Sequence, residues 1–159
     1  MAVVKSYIHI VYVLLVFLIT SCEPIQLYEQ TTIYSTHEWS SKQVNNYEFN
    51  ITDTISLYKI YFVIRHHNAY HYKNIWIDLS HSSASESAKT ETFNLNLAND
   101  QKGWLGTGMD DIYDQRIPLY SKPIKLKYGM HTFTIKHTMR EDPLQNILST
   151  GVRIEKASL

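Results

Sequence analysis

Residues 57–66 read LYKIYFVIRH. In an extended chain Tyr58, Ile60, Phe62 and Ile64 fall on one face, and Lys59, Tyr61, Val63 and Arg65 on the other. β-Branched and aromatic side chains suit a pleated, half-buried surface. The stretch therefore reads as a strong strand, and the chain on either side repeats its pattern.

Upstream, NYEFNI (46–51) alternates Tyr47, Phe49 and Ile51 with Glu48 and Asn50, and ITDTISL (51–57) breaks the pattern with turn residues. Downstream, HNAYHYKN (67–74) reads as a connection. IWIDLSH (75–81) sets Ile75, Ile77 and Leu79 inward and Trp76 and Asp78 outward. SSASESAK (82–89) reads as a loop, and ETFNLNLA (91–98) alternates again on Phe93, Leu95 and Leu97. Past the proline-bearing IPLYSKPIKLK (117–127), Tyr128-Gly129 makes a turn. His131, Phe133, Ile135 and His137 then share one face of the next strand. REDPLQNIL (140–148) reads as one short helical turn, with Asp142 as the cap before Pro143. GVRIEK (151–156) closes the chain as a short strand.

Seven or eight such strands separated by turn signals predict an all-β antiparallel β-sandwich, jelly-roll-like or immunoglobulin-like, over residues 44–159. The 159 residues suit a single domain, and twelve tyrosines with few helix-forming runs favour strands. Formal net charge is zero, so no overall field steers the chain toward nucleic acid.

The start of the chain is different. MAVVKSYIHIVYVLLVFLITSC carries one charge, Lys5, then an apolar run of about thirteen residues, short of the ~20 that a membrane span needs. This is the layout of a cleaved secretory signal over residues 1–21. Ile19-Thr20-Ser21-Cys22 is similar to a bacterial lipobox: small side chains fit a narrow peptidase cleft, and the thiol takes a diacylglycerol thioether. Cys22 is the chain's single cysteine, so it makes no intrachain disulfide and no cysteine zinc site. Anchoring to a lipid bilayer through acylated Cys22 is the reading, stable once two or three chains are attached. Residues 22–43, polar and without a clean period, read as a lipidated tether whose Tyr34 and Trp39 pack on the domain edge.

GWLGTGMDDIYD (103–114) holds three of the five glycines, followed by Asp110, Asp111 and Asp114. A phosphate loop would follow a strand and open a helix, without acids next to it. An EF-hand would place glycine among the acids. The reading is a structural loop, a candidate structural or partner-binding loop shaped by Trp104, Gly106, Gly108, Asp110 and Asp111. Its glycines take special backbone angles and its aspartates tie the turn. His66 and His67 are adjacent and face opposite sides of a strand, so with His71 they do not converge on zinc without a bend. No metal, cofactor or catalytic residue is assigned, and no spacing picks out a nucleophile–base set. Met139-Arg140-Glu141-Asp142-Pro143 reads as a buried Arg–carboxylate pair that fixes the closing turn, ahead of a partner contact. Tyr70, Tyr72, Trp76 and Trp104 either fill the core or form a platform for sugars or protein partners; burial of all four would end the sugar reading.

NAYHYKNIWIDL (68–79), GWLGTGMDDIYD (103–114), GMHTFTIKHTMREDPLQNILSTGVRIEK (129–156) and the lipobox together resemble the gliding-motility lipoprotein family GldH of Bacteroidota. The blocks run in order from Cys22 to about Lys156. The departures are small: the family often has Pro near His71 and Gln near His137. The resemblance implies an envelope lipoprotein required for gliding, with no enzyme activity and with protein partners in the gliding or secretion machinery. We expect a cell-envelope location, on the periplasmic side rather than the surface. The alternative is a carbohydrate-binding envelope lipoprotein.

Overall fold

The computed structural model describes residues 27–157. The signal peptide and Cys22 lie outside them. In chain order the strands are β1 (Leu27–Ile33), β2 (Glu38–Trp39), β3 (Asn45–Ile51), β4 (Leu57–His67), β5 (Asn74–Ser83), β6 (Glu86–Asn96) and β7 (Ala98–Asn99). There follow β8 (Gly103–Trp104), β9 (Thr107–Met109), β10 (Ile112–Pro118), β11 (Ile124–Lys125), β12 (Gly129–His137), β13 (Leu144–Gln145) and β14 (Ile147–Lys156).

The strand 57–67 sits in the middle of the larger sheet, ordered β1-β14-β4-β10-β9, with β11 also pairing β4. The second sheet is ordered β3-β12-β5-β6. Every pairing is antiparallel. The inward faces are the ones the alternation picked out. Tyr58, Ile60, Phe62 and Ile64 of β4 meet Tyr47, Phe49, Ile51, Ile77, Leu79, Phe133 and Ile135 of the other sheet in one buried core. The architecture is an all-β antiparallel sandwich. Among the long strands only β5 and β6 are consecutive neighbours in one sheet; from β1 to β5, and again from β10 to β14, each long strand crosses to the opposite sheet.

Three readings are corrected. The tether placed over residues 22–43 is domain from Leu27 onward. β1 pairs residue by residue with β14, from Leu27 opposite Glu155 to Ile33 opposite Ser149. β2 pairs with β13, and Trp39 has no exposed surface. Such a segment lacks a clean period because an edge strand buries only part of one face. The helical turn expected at 140–148 does not form: residues 140–143 bend through a cis Asp142–Pro143 peptide, Leu144–Gln145 pairs with Glu38–Trp39, and Asn146 turns the chain into β14. Asp142 accepts hydrogen bonds from the Ser41 N–H (2.7 Å) and hydroxyl (2.5 Å) instead of capping a helix. The loop read over 82–89 is mostly strand; β5 and β6 form one long hairpin that turns at residues 84–85. The first half of β6 faces solvent, so it needs no apolar residues.

Four histidines line the interior. His66, His131 and His137 are buried, and His81 is half-buried over the Phe133 ring. His131 Nε2 lies 2.9 Å from the Lys127 carbonyl, which only accepts, so Nε2 carries the proton. His131 Nδ1 then accepts from His81 Nε2–H at 2.8 Å. Burial pushes His66, His81 and His137 below the ordinary imidazole pKa, against smaller lifts from the His67 carbonyl (His66), Glu86 and Glu91 (His81), and Asp142 (His137). A depressed histidine pKa favours the neutral folded state, so its contribution is complete above about pH 6.5 and is lost as pH falls through the lower folded values. The melting temperature is expected to drop between pH 7 and pH 5, before the carboxylates titrate. A flat profile across that window in differential scanning calorimetry would refute this.

Candidate functional site

The strands present two ends. At one, Leu27, Ile51, Leu57, Gly129 and Lys156 lie together; at the other lie His67, Trp76, His137 and the start of β14. The features singled out from sequence gather at this second end.

The glycine-rich stretch folds in two steps. Gly103–Trp104 pairs with Ala98–Asn99, and β9 and β10 form a tight hairpin turning at Asp110-Asp111, where Asp110 has φ 54°. Trp104 is half-buried against the core, its ring 4.6 Å from His66 and 6.1 Å from Tyr113. Gly108 lies under Tyr113, leaving no room for a side chain. The Asp111 carbonyl and carboxylate both accept from Asn68, at 2.7 Å each, which ties the turn to the connection after β4. Asp114 instead faces Arg65 at 3.7 Å. His66 points inward with its Nδ1 against the His67 carbonyl, and His71 turns out to Glu141 at 3.1 Å. Among the described residues no three metal-ligating side chains converge.

The four aromatics separate. Tyr70 is buried, and Tyr72 and Trp104 pack on the core. Trp76 alone is open, 42% exposed on the outer face of β5. Its backbone N–H donates to the Met139 sulfur at 3.2 Å, which brings in the segment after β12. Tyr72, Asn74, Trp76, Thr138, Met139 and Arg140 thus line an open depression of about 580 Å³. The Arg–carboxylate pair read for 139–143 does not form. Glu141 is taken by His71 and Tyr72; burial pushes its carboxyl up, but these hydrogen bonds outweigh it and hold it below the usual range. Asp142 is taken by Ser41. Arg140 is exposed and has no carboxylate partner among the described residues. The sequence put Trp76 outward but gave no sign that Arg140 lines the same depression, because that depends on the path the chain takes after β12.

The outer face around this depression is mostly uncharged and polar. Thr134 donates to Asn46 across β12 and β3, Ser80 bonds to Thr90 across β5 and β6, Thr134 lies opposite Ser80 in the register, and Asn74 donates to Asn94 at 2.6 Å.

Fold and site define a β-sandwich domain with an open aromatic–arginine cleft at one end and the start of β1 at the other. The chain belongs to the GldH lipoprotein family, whose model matches residues 26–154. It is 24% identical over 155 residues to the "Gliding motility lipoprotein GldH homolog" of Christiangramia forsetii, covering 92% of this chain and 94% of that protein. It is 23% identical over 146 residues to the "Gliding motility lipoprotein GldH" of Flavobacterium johnsoniae, covering 87% and 90%. Among solved structures, the infectious bursal disease virus VP2 subviral particle aligns over 86% of this chain and 33% of that one, at 16% identity and a TM-score of 0.35. The chain thus spans about a third of that viral protein.

Proposed function

We propose that this chain is a lipid-anchored, non-enzymatic component of the gliding machinery, held to an envelope membrane through acylated Cys22, facing the periplasm, and acting by binding a protein partner. Family membership supports the cellular role. The observation that carries the binding mode is the cleft in which half-exposed Trp76 stands beside unpaired Arg140. Tryptophan and arginine are enriched among the few residues that carry most of the binding energy at protein interfaces, and an arginine with no internal partner is ready for a carboxylate on another surface. The loop of Trp104, Gly106, Gly108, Asp110 and Asp111 borders the same end and forms part of the presented surface.

Crosslinking and affinity capture of the acylated protein from its own membrane tests this. The wild type is expected to recover a motility component. Trp76→Ala and Arg140→Ala should each weaken that recovery roughly 10- to 30-fold, the effect of a central interface residue at about 1.4–2 kcal/mol. Capture that both variants leave unchanged would refute the cleft as the contact.

One observation favours a second reading, a carbohydrate ligand. The platform has shrunk to Trp76, but Asn74, Asn94 and Thr138 surround its indole with the amides and hydroxyls that sugars need. Glycan binding lost in Trp76→Ala, with no motility component captured by the wild type, would favour it.

A further inference from the structure

The opposite end of the sandwich carries exposed apolar side chains. Ile55 is 91% exposed at the turn between β3 and β4, and Tyr128 is 72% exposed just before β12; Leu57 and Met130 flank them. The strand pairings gather these positions: Leu57 is opposite Lys125, Lys156 opposite Tyr58, and Gly129 opposite Ile51.

The turn that carries Ile55 is tied by several hydrogen bonds and an ion pair. The Asp53 carboxylate accepts from the Ile55 N–H (2.9 Å), the Ser56 N–H (3.1 Å) and the Ser56 hydroxyl (2.7 Å), and it pairs with Lys156 at 2.7 Å. The Tyr58 hydroxyl donates to the Asp53 carbonyl at 2.7 Å. Ile55 therefore stands out into solvent from a hydrogen-bonded turn. Lys59, Lys125, Lys127 and Lys156 surround the tips. Lys127 pairs with Glu86, whereas Lys125 has no carboxylate partner among the described residues.

Leu27 begins β1 at this same end, opposite Glu155. Four residues separate it from Cys22, so five Cα steps give a reach of at most about 18 Å. We propose that this end of the sandwich lies on the bilayer surface, with Ile55 and Tyr128 in the boundary between headgroups and acyl chains and the lysines at the lipid phosphates. The inference rests on the reading of Cys22 as the acylated residue. The short tether holds the tips at high effective concentration against the membrane, so a small apolar area suffices. Tyrosine, apolar in body and polar at its tip, suits that depth, and lysine suits an anionic surface.

The three tryptophans, Trp39, Trp76 and Trp104, all lie at the far end, about 30 Å away along the strands. Tyr128→Trp in the full acylated chain therefore adds one fluorophore where none exists. The protein is bound to vesicles of phosphatidylethanolamine and phosphatidylglycerol with brominated acyl chains. The wild-type emission is expected to be little changed by the bromines. The emission added by Tyr128→Trp is expected to shift to the blue and be quenched, and Ile55→Glu in the same chain should relieve the quenching. Protein that floats with the vesicles but whose added tryptophan is unquenched would overturn the proposal and leave the anchor intact. A blue shift without quenching would mean that a second copy of the chain covers the tips, and would also overturn it. Flotation that Cys22→Ser leaves unchanged would overturn the anchor, and the tethered placement with it.

Discussion

Trp39→Ala is expected to cost about 3–5 kcal/mol of folding stability, the range for deleting a fully buried tryptophan. Trp39 has no exposed surface, stacks on Tyr34 at 5.8 Å and meets the His137 ring edge-on at 5.0 Å. Its indole N–H donates to the Gln43 carbonyl at 3.3 Å. It locks β2 against β13 at the end of the sandwich where the candidate cleft opens. A tether residue would give almost no effect, so urea denaturation of the unacylated chain separates the two pictures. Ile33→Ala, in the same stretch but 79% exposed, should stay within about 0.5 kcal/mol of wild type. Equal, small effects of both substitutions would sink the packing described here.

Gly106→Ala is expected to cost about 2–5 kcal/mol, from two sources that add. Gly106 has φ 87°, a region that costs an L side chain about 1–2 kcal/mol. A Cβ there would also sit 2.3 Å from the Asp114 carbonyl oxygen and 2.4 Å from Gln115 Cγ, an overlap worth about 1–3 kcal/mol. Gln115 cannot swing away cheaply: it is buried, and its amide donates to the Leu97 carbonyl at 2.9 Å. Gly103→Ala is the control. Its φ is 70°, but a Cβ there would meet nothing within 4 Å, so only the backbone cost of about 1–2 kcal/mol applies. Thermal melts of the two variants should show Gly106→Ala clearly lower; equal melting points would show that the overlap is relieved by movement of the loop.

The strands legible in the sequence were those with one buried and one wet face. In β3, β5 and β12 the period of two maps directly onto the core, and β4 keeps its pattern even at the centre of the sheet because Lys59 and Arg65 still reach water. β1 escaped because an edge strand with Glu29 and Gln30 among its residues has no such contrast. Its Glu29 is held on the outer face by Arg116 and Arg153, partners far away in sequence. The closing segment escaped for a related reason. Asp142-Pro143 carries a real capping pattern, but Ser41 and β2 compete for the same groups, and that competition is tertiary. The candidate cleft was half legible: the outward position of Trp76 followed from alternation, and its company of Met139 and Arg140 did not.

β1 is the first strand made, and its sheet neighbour is β14, the last. Its backbone groups find their ladder partners only once the final ten residues of the fold have arrived. Closing so long a loop is slow, and no early fragment of the larger sheet offers β1 a substitute. A chain threaded through a membrane N-terminus first would thus stay unlocked until its far end had crossed.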